Sequence, residues 1–150
     1  MDGITGPANL EDIERLLREA DVTREELVIA CKFDNQDYAR NLLAKSEWYQ
    51  LLVICWRSGQ CSPIHDHAGS SCGVRVIDGV ATETTFEKVG PGKVIPKGTS
   101  LYERDAVCVT SEADIHVISN DQPASDLVTL HLYSPPLQMS YYSQTSDASQ

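Results

Sequence analysis

Basic residues, histidines and long apolar runs are all scarce in this chain, and each shortage removes a class of function. Twelve Lys and Arg stand against 22 Asp and Glu, a formal charge of −10. Phosphate binding is built on clustered cations, so this balance excludes a nucleic-acid partner and favours a small ligand. No stretch approaches the roughly 20 apolar residues of a membrane span, so no membrane partner is expected. Met1 to Pro7 lacks the basic patch and apolar run of a signal peptide, which makes a cytoplasmic location the expectation. The five cysteines (Cys31, Cys55, Cys61, Cys72 and Cys108) contain no Cys-x-x-Cys pair. A structural zinc site is therefore not expected, and free thiols are.

At 150 residues the chain is read as one domain, long enough to bury roughly two-thirds of its unfolded surface. No internal repeat or linker divides it, and nothing argues for more than a monomer. Leu10, Ile13, Leu16 and Leu17 form the apolar stripe of an amphipathic helix over Asn9 to Ala20. Thr23 and Glu26 have capping-box spacing, predicting a second short helix through about Phe33. The helical region thus covers about 8–33. Tyr38 to Leu43 and Trp48 to Trp56 read as a β-hairpin. Ser71 to Ile77 ends at Asp78-Gly79, a hairpin turn signal, which predicts that Val80 to Val89 pairs back on it. Ser100 to Thr110, Ile115 to Ser119 and Leu127 to Tyr133 supply further strands. The expected fold is mainly β: a small antiparallel barrel or double-sheet jelly roll over about 38–136, behind two or three helices. Residues 143–150 read as a polar tail that need not be ordered.

The histidines are few and concentrated. All four (His65, His67, His116 and His131) lie in or beside apolar, strand-like segments. His65 and His67 are two apart, which on an extended strand points both rings to one face. A lone strand histidine is ordinarily just a half-buried residue. A His-x-His pair with a later His in His116-x-x-x-Asn120 reads instead as three imidazole ligands for a divalent first-row metal, zinc included on ligand type alone. Three neutral imidazoles leave the metal's charge of about +2 uncompensated, which suits an anionic ligand such as a thiolate.

Gly59, His65, His67, Cys72 and Gly79 are spaced as in the first cupin motif, with Cys72 where cupins usually carry a glutamate ligand. His116 to Asn120 is similar to the end of the second motif, without its usual Pro-x-Gly. Tyr38-Ala39-Arg40-Asn41, Cys55-Trp56, Ile64-His65-Asp66-His67, Cys72 and Leu130-His131-Leu132-Tyr133-Ser134-Pro135-Pro136 occur in this order. From about Tyr38 to Pro136 the chain resembles the type I cysteine dioxygenase family, the thiol dioxygenase branch of the cupin superfamily. The resemblance implies Fe(II) held by His65, His67 and His116, with O2 as co-substrate. It implies L-cysteine as substrate and cysteine sulfinic acid as product. Arg40 would pair with the substrate carboxylate, for which a guanidinium offers two parallel donors, with Tyr38 beside it. Cys72 and Tyr133 would be joined by a thioether that fixes the phenol near the iron. His131 would hydrogen-bond that phenol, with Thr129 replacing the family's usual serine. Trp56 is open between a wall of the site and plain core. The resemblance also suggests a cis Ser134-Pro135 bond. Ser140 stands where other members carry a further cysteine, and the shorter C-terminus implies looser selectivity.

Three other readings compete. One is a dioxygenase of another small thiol, cysteamine or 3-mercaptopropionate, the latter branch usually carrying Gln in place of Arg40. A non-catalytic cupin sensor would need no combination of Arg40, Tyr133 and Cys72. A zinc isomerase or hydrolase would want the missing acidic ligand.

Overall fold

The structure is a computed structural model describing residues 6, 8–27, 31–111, 113–136 and 140–144. Helix α1 (Leu10–Glu19) starts where Asn9 caps it, its side chain accepting the Asp12 N–H at 2.8 Å. Glu11 and Asp12 in the first turn and Arg18 in the last complement the helix dipole. Helix α2 (Arg24–Leu27) opens with the reciprocal bonds of a capping box: Glu26 N–H to Thr23 Oγ1 and Thr23 N–H to a Glu26 carboxylate oxygen. The cap was legible but the length was not. Residues 31–34 are already non-helical, so α2 does not run to Phe33. No helix among the described residues is long and apolar enough to cross a membrane.

Among the described residues eleven strands follow: β1 (Ala39–Lys45), β2 (Gln50–Trp56), β3 (His65–Asp66), β4 (Ser71–Asp78), β5 (Ala81–Gly90), β6 (Lys93–Tyr102), β7 (Val107–Thr110), β8 (Ile115–Ser119), β9 (Leu127–Ser134), β10 (Ser140–Tyr141) and β11 (Ser143–Gln144). They form two sheets, β1-β2-β9-β4-β7 and β10-β3-β8-β5-β6-β11. Of the two architectures expected, the double-sheet form is present; the ladders do not close into a barrel.

Two expectations about pairing fail. Asp78-Gly79 does not make a hairpin: β4 pairs with β7 and β9, whereas β5 pairs with β6 and β8. Gly79, at φ +89°, instead turns the chain from one sheet into the other, pressed so closely on the Asp126 carbonyl that a Cβ would collide with it. Ser100 to Thr110 is likewise two strands. It breaks at 103–106, where Asp105 takes φ +70° and the chain again changes sheet. Ser143 and Gln144, at the start of the expected tail, pair in parallel with Lys93 and Val94, and residues 145–150 lie outside the described residues.

Alternation along the central strand β9 creates two cores. Val128, Leu130 and Leu132 face α1, where Ile13 and Leu17 bury completely. Leu127 and Tyr133 face the other sheet and pack with Leu52, Ile54, Trp56, Val74 and Ile118. Between Leu127 and Tyr133 on that same face the strand carries Thr129 and His131, polar groups in an otherwise apolar layer. The Ser134-Pro135 bond is cis.

Candidate metal centre and its cavity

The inter-sheet core opens into a small, largely enclosed cavity. Its walls include Tyr38, Arg40, His65, His67, Cys72, His116, His131 and Tyr133, so the structure gathers every residue singled out from the sequence. Tyr38 lies just before β1 and Arg40 on it; His65 and His67 come from β3 and its end, and His116 from β8 directly opposite His65.

The three imidazoles converge. Ring centroids lie 4.8–5.0 Å apart, and the His65 and His67 Nε2 atoms are separated by 3.2 Å. Their candidate ligand atoms all fall within 4.8 Å of one another, with all three residues buried. Hydrogen bonds on the outer nitrogens set the tautomers. His65 Nδ1–H donates to the Pro63 carbonyl at 2.7 Å, and His116 Nδ1–H to the Glu83 carboxylate at 2.8 Å. Each then turns an Nε2 lone pair inward. His67 Nδ1 is buried without a partner among the described residues. Burial, reinforced by the neighbouring imidazoles, pulls His65 down to about 4 and His67 to about 3. Buried, convergent imidazole nitrogens are donors that suit a divalent transition metal, so this trio fits a metal ion.

Glu83 went unnoticed in the sequence. It sits on β5 across from Ile118, hence diagonally beside His116 on the same face. Besides His116 it contacts the Tyr102 hydroxyl, which donates at 3.3 Å, and the Cys108 thiol at 3.6 Å. Burial alone would raise this carboxyl, but its hydrogen bonds and the His116 ring hold it below the usual range. Its role follows from the register of β5 against β8, which no local signal in the sequence reports.

On the opposite wall, Cys72 and Tyr133 are direct cross-strand partners on β4 and β9, the pairing that brings Cβ atoms closest. Both are essentially buried, and burial raises both the thiol and the phenol well above their usual ranges. His131 Nδ1 lies 3.1 Å from the Tyr133 hydroxyl and its Nε2 2.7 Å from Thr129 Oγ1. Trp56 donates its indole N–H to the same Thr129 oxygen at 2.9 Å. Complete burial, with Arg40 and the other imidazoles adding to it, keeps His131 neutral far below the normal range. Trp56 resolves both of its readings: it is fully buried core and also lines the cavity, stacked on Tyr38 at 4.7 Å. Burial raises Tyr38, with Arg40 opposing the effect. Arg40 itself is exposed at the mouth and has no carboxylate partner among the described residues. Ser140 and Tyr141 pair with Asp66 and His65, and the Tyr142 hydroxyl donates to Asp66 at 2.5 Å. The end of the described chain therefore straps the ligand-bearing strand, a support not anticipated from the sequence.

Residues 6–145 match the family model described as cysteine dioxygenase type I. Cysteine dioxygenase type 1 of Danio rerio is 32% identical over 136 residues, covering 87% of this chain and 67% of the relative. That of Rattus norvegicus is 30% identical over 132 residues, covering 85% and 66%. The chain thus spans about two-thirds of the length of these relatives. In fold it is similar to a double-stranded β-helix protein from Klebsiella pneumoniae (TM-score 0.67, 13% identity, covering 83% of this chain and 93% of that one). A Thermus thermophilus protein gives a TM-score of 0.62 at 17% identity, covering 73% and 94%.

Proposed function

The chain belongs to the cysteine dioxygenase type I family, and from that premise we propose that it oxidises L-cysteine with O2 to cysteine sulfinic acid at an Fe(II) centre held by His65, His67 and His116. The observation that carries this reading is three buried, convergent imidazoles sharing one cavity with an exposed arginine that has no carboxylate partner among the described residues. Fe(II), when bound, supplies the redox chemistry that lets O2 react with a thiol.

The protein's own residues bind and orient. Arg40 offers a planar pair of donors to a carboxylate, in a position where its charge is not already spent on an internal acid. Tyr38, held by its stack on Trp56, supports the same subsite. Glu83 positions His116 and fixes its tautomer; it touches neither substrate nor metal. Polar directionality runs from Trp56 through Thr129 and His131 to Tyr133. The Trp56 indole can only donate. With the Thr129 hydroxyl donating to His131 Nε2, the Nδ1–H donates to the Tyr133 oxygen and leaves the phenol proton free for the cavity. A donor fixed in this way needs no reorganisation when charge develops nearby. The Cys72–Tyr133 pair is placed for the family's thioether, which would immobilise that phenol further.

Anaerobic loading with Fe(II), followed by O2 uptake and sulfinate detection with L-cysteine, 3-mercaptopropionate and cysteamine, tests the reading. L-cysteine is expected to turn over best, by about tenfold or more in kcat/KM. A preference for 3-mercaptopropionate would transfer the assignment to that branch, and no uptake with iron bound would leave a binding protein.

A further inference from the structure

Outside the cavity, two sulfur atoms stand unusually close. Cys31 Sγ and Cys55 Sγ are 2.8 Å apart, inside van der Waals contact for two thiols though neither is disulfide-bonded. Cys55 is fully buried on β2, and its side chain faces the α1 core; its neighbours Ile54 and Trp56 face the cavity. Cys31 is half-buried, in the segment that leads to Tyr38 and Arg40.

That segment is held from three directions. Asn41 Nδ2 donates to the Lys32 carbonyl at 3.1 Å, Arg57 stacks over the Phe33 ring at 4.3 Å, and Gln60 Nε2 donates to the Asp34 carbonyl at 2.6 Å. None of these contacts involves Cys31 itself, yet together they fix the backbone that follows it, at residues 32–34. The approach of the two sulfurs is thus imposed by the surroundings, and moving from 2.8 Å to a bond of about 2.05 Å needs less than about 1 Å of motion.

We propose that Cys31 and Cys55 form a reversible disulfide that staples the 31–36 segment to β2, on the side of the sheet facing away from the three-histidine cavity. The oxidant is a low-molecular-weight disulfide such as glutathione disulfide. Cys31, the less buried of the two, attacks it as the thiolate, the glutathione S–S bond breaks and one glutathione thiolate leaves. Cys55, giving up its proton, then attacks Cys31 Sγ in the mixed disulfide and expels the second glutathione. Two protein thiols are oxidised and one glutathione disulfide is reduced to two thiols. A buried resolving thiol in contact with the attacking one makes the second step intramolecular, so the mixed disulfide does not accumulate.

The test is incubation of the purified protein with glutathione disulfide, alkylation of remaining thiols under denaturing conditions, and peptide mapping by mass spectrometry, with melting measured in parallel. A linked Cys31–Cys55 peptide is expected, two hydrogens lighter than the sum of its parts and released by dithiothreitol. A Cys72–Tyr133 thioether would survive dithiothreitol, which separates the two modifications. The melting temperature should rise by roughly 5–10 °C in the oxidised sample, because the bond closes a loop of 24 residues in the unfolded chain. Cys31→Ser should lose both the peptide and the rise while keeping the activity of the reduced protein. A lasting glutathione adduct on Cys31, alkylation of both thiols after oxidation, or a linkage without any rise in melting temperature would each overturn the proposal.

Discussion

At the scale of single residues, the cavity separates two tasks that sequence inspection tends to merge, holding the metal and choosing the substrate. In the reading proposed above Arg40 is the choosing residue: it lines the same cavity as the imidazoles but, unlike them, is exposed. Its loss should therefore change selectivity and leave metal binding alone. Arg40→Gln is expected to lower kcat/KM for L-cysteine by about 10- to 100-fold, the worth of a charge-assisted hydrogen bond partly exposed to water. Turnover of cysteamine, which has no carboxylate, should change little. Equal losses on both thiols would show that Arg40 does not read the carboxylate. Glu83 belongs to the other task. Replacing it with Ala removes the acceptor of the His116 Nδ1–H, which should weaken metal binding by about 10- to 100-fold. Glu83→Gln keeps an acceptor without the charge and should recover part of that loss. Anaerobic titration with Co(II), followed by its visible absorption, reads both variants without reference to turnover. If Ala and Gln behave alike and match wild type, Glu83 has no positioning role.

At the scale of elements, what could be read in advance was whatever a local signal encodes. Asn9 and the Thr23/Glu26 box announced their helix starts, and two-residue spacing put His65 and His67 in one place. Which sheet a strand joins is not a local property. Asp78-Gly79 has the composition of a hairpin turn, but φ +89° at a sheet-crossing corner asks for the same residue, and only long-range pairing distinguishes the two. Glu83 was invisible for the same reason, since its meaning depends on the register of β5 against β8. Contacts between elements make a similar demand at Gly73. There α1 lies so close on β4 that an added Cβ would collide with Ile13 and Leu17, both fully buried. Gly73→Ala should consequently destabilise by about 1–3 kcal/mol, an overpacking cost that α1 cannot relieve by rotating a surface side chain. Urea unfolding measures it, and a change below about 0.5 kcal/mol would mean that the helix shifts freely on the sheet.

Across the whole molecule, the two cores differ in what they contain, and that difference sets how the fold responds to acid. The core beneath α1 is apolar. The layer between the sheets carries His65, His67 and His131, all held neutral mainly by burial, at about 4, about 3 and well below the usual range. Each of these imidazoles binds a proton near pH 6.5 when unfolded but not until far lower pH when folded. Between those limits the unfolded state holds more protons, so stability rises with pH. The contribution is complete above about pH 6.5 and disappears progressively as pH falls toward the folded values. Each such imidazole supplies up to about 1.4 kcal/mol per pH unit in that window. Metal-free protein unfolded in urea at pH 7.0, 6.0 and 5.0 should therefore lose stability steeply, above the range where carboxylates begin to titrate. His131→Asn should make the slope shallower by about one proton. Bound metal should add stability across this range and leave the direction of the slope unchanged, because the folded His65 and His67 already lack protons there. A flat profile between pH 7 and 5 would mean that protonated imidazoles are tolerated between the sheets, and the cavity would then be wetter and less selective for neutral donors than its burial implies.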